Sequence, residues 1–292
     1  MRHTVSNSFF KIEVQQKGAE LCSIKSLKTD SEYMWGANPD IWGSFAPVLF
    51  PIIGSLKNGV TMYKGKNYKI PKHGIIRHNN SIELKSKTAN QLVFSLKYND
   101  SLLKVYPFKF EFEISFKLTN NKIEVGHTIT NLDKKPMLFS LGTHPAFKCP
   151  INNNEKYSDY YLEFEQTETV STHNLTTNGL VKNSTRPIIN KSKILPLSDD
   201  MFINDALIFK ELKSRKVTLK SNKSSYQLSV NFNGFNYLGI WAKPHANFIC
   251  IEPWLGITDS DNSDGIFENK EGILEIGAGK SFNAKYTIEI EE

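Results

Sequence analysis

Three short segments of this chain set an ionisable side chain beside glycine or proline, where backbone geometry is restricted and a cleft can open. The first is Pro71-Lys72-His73-Gly74-Ile75-Ile76-Arg77-His78, which follows Leu49-Phe50-Pro51-Ile52-Ile53-Gly54. The second is Leu141-Gly142-Thr143-His144-Pro145-Ala146-Phe147, and the third is Cys250-Ile251-Glu252-Pro253-Trp254-Leu255-Gly256. Glu252 stands out. A carboxylate among Phe248, Ile249, Ile251 and Trp254 is costly to bury unless it is paired or hydrogen-bonded. An imidazole and a carboxylate brought together suit proton transfer at neutral pH. Two histidines and a carboxylate also suit a metal ion, so His73, His144 and Glu252 allow both chemistries. Taken singly, a histidine beside glycine is ordinarily a hydrogen-bonded structural residue.

Such residues need elements to hold them, and the dominant period in the chain is two. Phe110 to Leu118 alternates apolar and polar without a break, as a half-buried strand does. After Asn120-Asn121, the residues Ile123, Val125, His127 and Ile129 alternate again, which predicts an antiparallel hairpin. His127, on the apolar face, reads as a core histidine. Further strands are expected at Phe9–Val14, Glu20–Ser26, Ser81–Leu84, Leu92–Tyr98, Val217–Leu219, Tyr226–Val230, Tyr237–Trp241, Phe248–Ile251 and Ala284–Ile290. Tyr63 to Tyr68 reads as a hairpin tip. Short helical turns fit around Pro39–Trp42 and Asp199–Phe202, and no long capped amphipathic helix is present. The polar stretch from Ile151 to Asp200 reads as long loops inserted into the sheets. This pattern predicts an all-β fold, a large antiparallel sandwich with long loops and few short helices, as one domain over residues 1–292.

Composition excludes several classes. The chain has 292 residues, 39% hydrophobic and 12% aromatic, too apolar for wholesale disorder. No stretch approaches the roughly 18 apolar residues of a membrane span, and the first residues lack the apolar run of a secretory signal. A cytoplasmic protein with no membrane partner is expected. Cys22, Cys149 and Cys250 are too widely spaced for a disulfide framework or a C-x-x-C pair. The net charge of +6 comes from scattered lysines with only four arginines, so a Lys-rich surface explains it better than nucleic-acid binding does.

Taken in order, Pro47 to Gly54, His73-Gly74-Ile75-Ile76-Arg77, Tyr106-Pro107-Phe108, Gly142 to Phe147, Asn204 to Ile208 and Ile251-Glu252-Pro253-Trp254 resemble the aldose 1-epimerase (galactose mutarotase-like) family, in its LacX-like branch. The resemblance spans essentially the whole chain. It implies a distorted antiparallel sandwich and interconversion of the α and β anomers of a free aldose, with no metal or cofactor. By its motifs Glu252 matches the general base, His144 the general acid and His73 a sugar-holding histidine. Arg77 matches an arginine facing the substrate, and Asp205 a ligand to a sugar hydroxyl. Ring opening removes the C1 hydroxyl proton while the ring oxygen gains one, so an acid and a base suffice. Burial should raise the Glu252 pKa toward neutrality, and a carboxylate near His144 should keep that imidazole charged. Trp35, Trp42 and Trp254 are candidate faces for a pyranose ring.

Other readings stay open at this point. Ile75-Ile76 stands where the family more often has Phe-Ala or a similar pair, which reshapes one wall. The scarcity of arginine favours an unphosphorylated sugar, with a hexose phosphate as the alternative. A glycoside hydrolase would need a second carboxylate, for which Asp259, Asp261 and Asp264 are candidates. A non-catalytic sugar-binding protein could use the same pocket. Either a monomer or a homodimer is compatible with the pattern.

Overall fold

The computed structural model describes residues 1–292. Its largest element is a nine-stranded sheet in which every neighbouring pair is antiparallel. The order across it is Val181–Pro196, Tyr160–Leu175, Lys216–Ser221, Gln227–Asn231, Ser281–Glu291, Lys122–Asn131, Phe110–Thr119, Gln91–Lys97 and Glu83–Lys87. The hairpin read from alternation is its centre, with Ile114 opposite His127 and Phe116 opposite Val125. Cross-strand neighbours share a face, so these side chains enter one core together. His127 lies in that core between Phe112 and Tyr286. Burial pushes its pKa down to about 4, so it is neutral.

A second sheet carries the chemistry. It runs Leu207–Phe209, Tyr237–Trp241, Phe248–Leu255, Leu141–Thr143 and Val48–Leu49, with Ala146–Lys148 also paired to the Phe248–Leu255 strand. Apolar side chains from both sheets, including Phe110, Phe112, Ile240, Ile249 and Ile251, belong to one continuous core. A three-stranded sheet (Arg2–Ser6, Phe10–Gln15, Glu20–Ser26) and two small two-stranded ladders complete the β structure. No helix is long and apolar enough to cross a membrane.

Two local expectations are corrected. The stretch from Ile151 to Asp200 is mainly a hairpin of two long strands, Tyr160–Leu175 and Val181–Pro196, where loops were expected. Only its base alternates into the core, at Tyr160, Leu162 and Phe164. Farther out most side chains face solvent, so no apolar period marks the strands. The one α-helix is Asp100–Val105, capped by the Asn99 side chain accepting from the Leu102 N–H at 2.9 Å. Pro39–Trp42 and Asp199–Phe202 form single turns, the Trp42 N–H donating to the Asn38 carbonyl at 2.8 Å, whereas the strand placed at Ser81–Leu84 spans Glu83–Lys87.

Candidate functional site

Glu252 sits in the middle of Phe248–Leu255, a strand buried along its whole length. Period two puts Cys250, Glu252 and Trp254 on one face. Their cross-strand partners on that face are Trp241 opposite Cys250, Gly239 opposite Glu252, and Gly142 opposite Trp254. Glycine at 239 has a steric reason. A Cβ there would lie 2.5 Å from the Trp254 ring, so the indole lies over Gly239, two residues along the strand from Glu252.

His144 reaches the same face through a break in the neighbouring strand. Leu141–Thr143 and Ala146–Lys148 both pair with Phe248–Leu255, and His144-Pro145 is the interruption between them. The His144 backbone N–H donates to the Pro47 carbonyl at 3.0 Å, which anchors the residue. Its Nε2 lies 3.4 Å from Glu252 Oε2. That is ion-pair distance without hydrogen-bond alignment, since Glu252 Oε2 has no hydrogen-bond partner in the protein. Trp42 stacks on the imidazole with centroids 5.0 Å apart and an interplanar angle of 27°, and Trp241 meets it edge-on at 5.7 Å.

His73 comes from a loop folded against Phe50–Gly54. Its N–H donates to the Gly54 carbonyl at 2.8 Å, and the Gly54 N–H donates back to His73 Nδ1 at 3.2 Å. With Nδ1 accepting, the neutral ring carries its proton on Nε2. Its ring centre is 5.7 Å from that of His144. His73 has φ 67° and Gly74 φ 82°, and a Cβ on Gly74 would stand 2.0 Å from the Phe50 carbonyl oxygen. Gly74→Ala is therefore expected to cost at least about 1–2 kcal/mol from the left-handed backbone alone, with the clash added. A lowered thermal midpoint checks this, and an unchanged midpoint would mean the loop is not held as described.

Arg77 is half-buried and donates to Ser44 Oγ at 3.1 Å, while its Nε has no partner in the protein. Asp205 is exposed, with φ 70°. All five residues singled out from sequence, Glu252, His144, His73, Arg77 and Asp205, line one cavity of about 300 Å³. Trp42 and Trp254 line it too, whereas Trp35 packs on Phe248 in the core. Lys243 and Trp241 are lining residues that sequence reasoning missed. Trp241 lay on an expected strand, but only the register with Cys250 reveals its face.

The tip of the long hairpin forms another wall through Leu175 and Gly179. Thr258 ties it down, donating to the Gly179 carbonyl at 2.9 Å and accepting from the Ser55 N–H at 3.0 Å. The next residue, Asp259, is buried and pairs with buried Lys270 at 2.6 Å. Asp259, Asp261 and Asp264 are therefore not wall carboxylates, and Asp205 is the one that accompanies Glu252 in the cavity.

Burial governs the charge state. It pushes Glu252 well above the usual carboxylate range, reinforced by Asp205 and opposed by Trp254, Lys72 and Arg77. It pulls His144 down to about 3, helped by Arg77 and Lys72. His73 is also held well below the usual range, by burial first and then by His144. The expectation that a nearby carboxylate keeps His144 charged is thus corrected, because desolvation of both groups outweighs their attraction. Cys250 completes a cluster in which its Sγ, a His144 nitrogen and a Glu252 oxygen lie within 4.8 Å of one another. His73 is not part of it. Burial also pushes the Cys250 thiol well above its usual range, so this trio would bind a metal only after losing protons that burial retains.

A sheet-built cavity with an imidazole and a carboxyl at its floor places the chain in a recognised class. Residues 1–262 match the aldose 1-epimerase family, and the chain belongs to that family. It is 34% identical over 295 residues to the chromosomal LacX protein of Lactococcus lactis subsp. lactis, covering 98% of each chain. A galactose mutarotase related enzyme from Lactobacillus acidophilus is 38% identical, with a TM-score of 0.95 over 100% of this chain and 98% of that one. A galactose mutarotase-like protein from Lactobacillus casei is 27% identical, with a TM-score of 0.93 and full coverage of both chains.

Proposed function

We propose that this single-domain chain is a cofactor-independent mutarotase, an isomerase that interconverts the α and β anomers of a free aldose. The observation that carries the reading is the approach of His144 Nε2 to Glu252 Oε2, 3.4 Å apart on the floor of the cavity. The hydroxyl and ring oxygens of a cyclic aldose are separated by one carbon, so the base and the acid that serve them must converge.

The pair holds one mobile proton. In the free site, burial rests that proton on Glu252 and leaves His144 neutral. A bound sugar presents hydroxyl donors to the carboxylate, which favours its ionised form. The proton then sits on His144. Glu252 removes the C1 hydroxyl proton as His144 protonates the ring oxygen, and the C1–O5 bond opens to the aldehyde. Rotation about C1–C2 presents the other carbonyl face, and reclosure returns both protons. His73, donating from Nε2, and Arg77 hold the sugar, and Asp205 accepts from a hydroxyl at the rim. Trp254 offers an apolar face.

The test follows the optical rotation of freshly dissolved α-D-glucose and α-D-galactose against their spontaneous equilibration. Acceleration supports the reading, and its absence with both sugars alongside saturable binding favours a sugar-binding protein.

The pH profile is a separate prediction. The working pair needs one proton, so activity is lost at low pH only when a second binds, near the His144 value of about 3. At high pH it is lost as the pair's single proton leaves, above the usual carboxylate range. The free-enzyme profile should therefore show no acid limb near pH 6.5. An acid limb there would mean that His144 titrates as an ordinary histidine.

A further inference from the structure

Glu20 is a buried acid that the proton transfers do not use. It opens the strand Glu20–Ser26 and is 3% exposed. A carboxylate so placed must be answered by hydrogen bonds. Its Oε2 accepts from the Phe45 N–H at 2.8 Å and from the Ala46 N–H at 3.1 Å. Burial pushes Glu20 above the usual carboxylate range, and those two N–H groups oppose the shift, followed by Arg77 and Lys17.

The strip that Glu20 holds leads to the cavity. The Phe45 carbonyl accepts from the Ala146 N–H at 2.9 Å, and the Pro47 carbonyl accepts from the His144 N–H at 3.0 Å. Regular pairing continues beyond it, with Val48 opposite Thr143 and Leu49 opposite Gly142. Residues 45–47 therefore back the break that presents His144, although they belong to no strand themselves. Three residues before Phe45, Trp42 stacks on the same imidazole. One buried carboxylate thus anchors the chain that meets His144 through its backbone and through its ring.

We propose that Glu20 is a positioning residue for the acid: by fixing residues 45–47 it sets the His144 imidazole against Glu252. Its kinetic readout rests on the proposed mutarotase reading. Without the Glu20 carboxylate, two buried N–H groups lose their acceptor, which is costly, and residues 45–47 must move to find another. The His144 N–H is tied to that strip, so the imidazole moves with it, away from its 3.4 Å approach to Glu252. Charge-assisted hydrogen bonds from backbone N–H groups are short and directional, which suits a side chain whose task is to hold a segment still.

The experiment measures mutarotation of α-D-glucose and α-D-galactose above the spontaneous rate. It uses the native chain, Glu20→Ala, Glu20→Gln, His144→Gln and the double variant Glu20→Ala with His144→Gln, each well below its thermal midpoint. Glu20→Ala is expected to lower kcat about ten- to a hundredfold, the effect of a displacement of about 1 Å at a reacting group. Glu20→Gln should recover most of that loss, because its amide oxygen has lone pairs for both N–H groups. On the His144→Gln background Glu20→Ala should add little, since it acts through the residue already replaced. A merely structural role lowers the folded fraction and multiplies on either background. Proton NMR gives a reading without turnover. The ring signals of His144, assigned by their loss in His144→Gln, should shift in Glu20→Ala, while those of His127 in the core of the large sheet stay in place. Where Glu20→Ala does not fold, Glu20→Asp replaces it with the same expectations; it keeps the charge but is one methylene shorter, and must displace residues 45–47 to hold both N–H groups. An unchanged kcat, an equal loss on both backgrounds, or unmoved His144 signals would overturn the proposal. Should the native chain accelerate neither sugar, the mutarotase reading itself fails, and the NMR comparison alone decides whether Glu20 positions His144.

Discussion

Glu252→Gln is expected to lower kcat by about 10²–10⁴-fold, the usual contribution of a positioned proton-transfer group, while sugar binding stays within a few-fold of the native value. The amide keeps the size of the carboxyl and its capacity to accept one hydrogen bond, but it cannot take the C1 proton. The change should not unfold the chain. Glu252 is 1% exposed, and its Oε2 has no hydrogen-bond partner in the protein. Replacing a buried ionisable group by a neutral isostere removes a desolvation cost. A thermal midpoint equal to or above the native one, together with lost turnover, separates a chemical role from a structural one. Equal loss of binding and turnover would assign the carboxyl to holding the site together.

His144→Gln carries the second large expectation, a fall of similar size for the same reason. Glutamine is preferable to alanine here because Trp42 and Trp241 pack on the imidazole, and truncation would let them collapse into the gap. Combining His144→Gln with Glu252→Gln gives the sharper readout. Groups that share one proton act as a unit, so the double variant should lose little more than either single one. Multiplicative losses would show that the two residues work independently, contrary to the shared-proton scheme.

How much of this was legible in advance differs from element to element. The central hairpin could be read because Phe110 to Leu118 and Ile123 to Ile129 each bury one face, and burial of one face imposes a period of two. The outer hairpin, Tyr160–Leu175 with Val181–Pro196, could not be read in the same way. Beyond its base it buries only isolated positions, such as Glu168, Thr172 and Ile189, and is held by backbone pairing and side-chain hydrogen bonds, so no apolar period marks it. The strands around His144, Leu141–Thr143 and Ala146–Lys148, have three residues each, too few to display any period.

By itself the sequence determined the class of fold, through alternation, and the identities of the ionisable groups, through Gly and Pro placed beside them and an acid set in an apolar strand. Local chain geometry encodes such features directly. Tertiary structure alone decided that Glu252 and His144 meet at 3.4 Å, that Cys250 rather than His73 joins them, and that Trp241 and Lys243 share their cavity. It also decided the charge of the pair. Desolvation depends on everything packed around a group, and residues more than a hundred positions apart in the chain set it together.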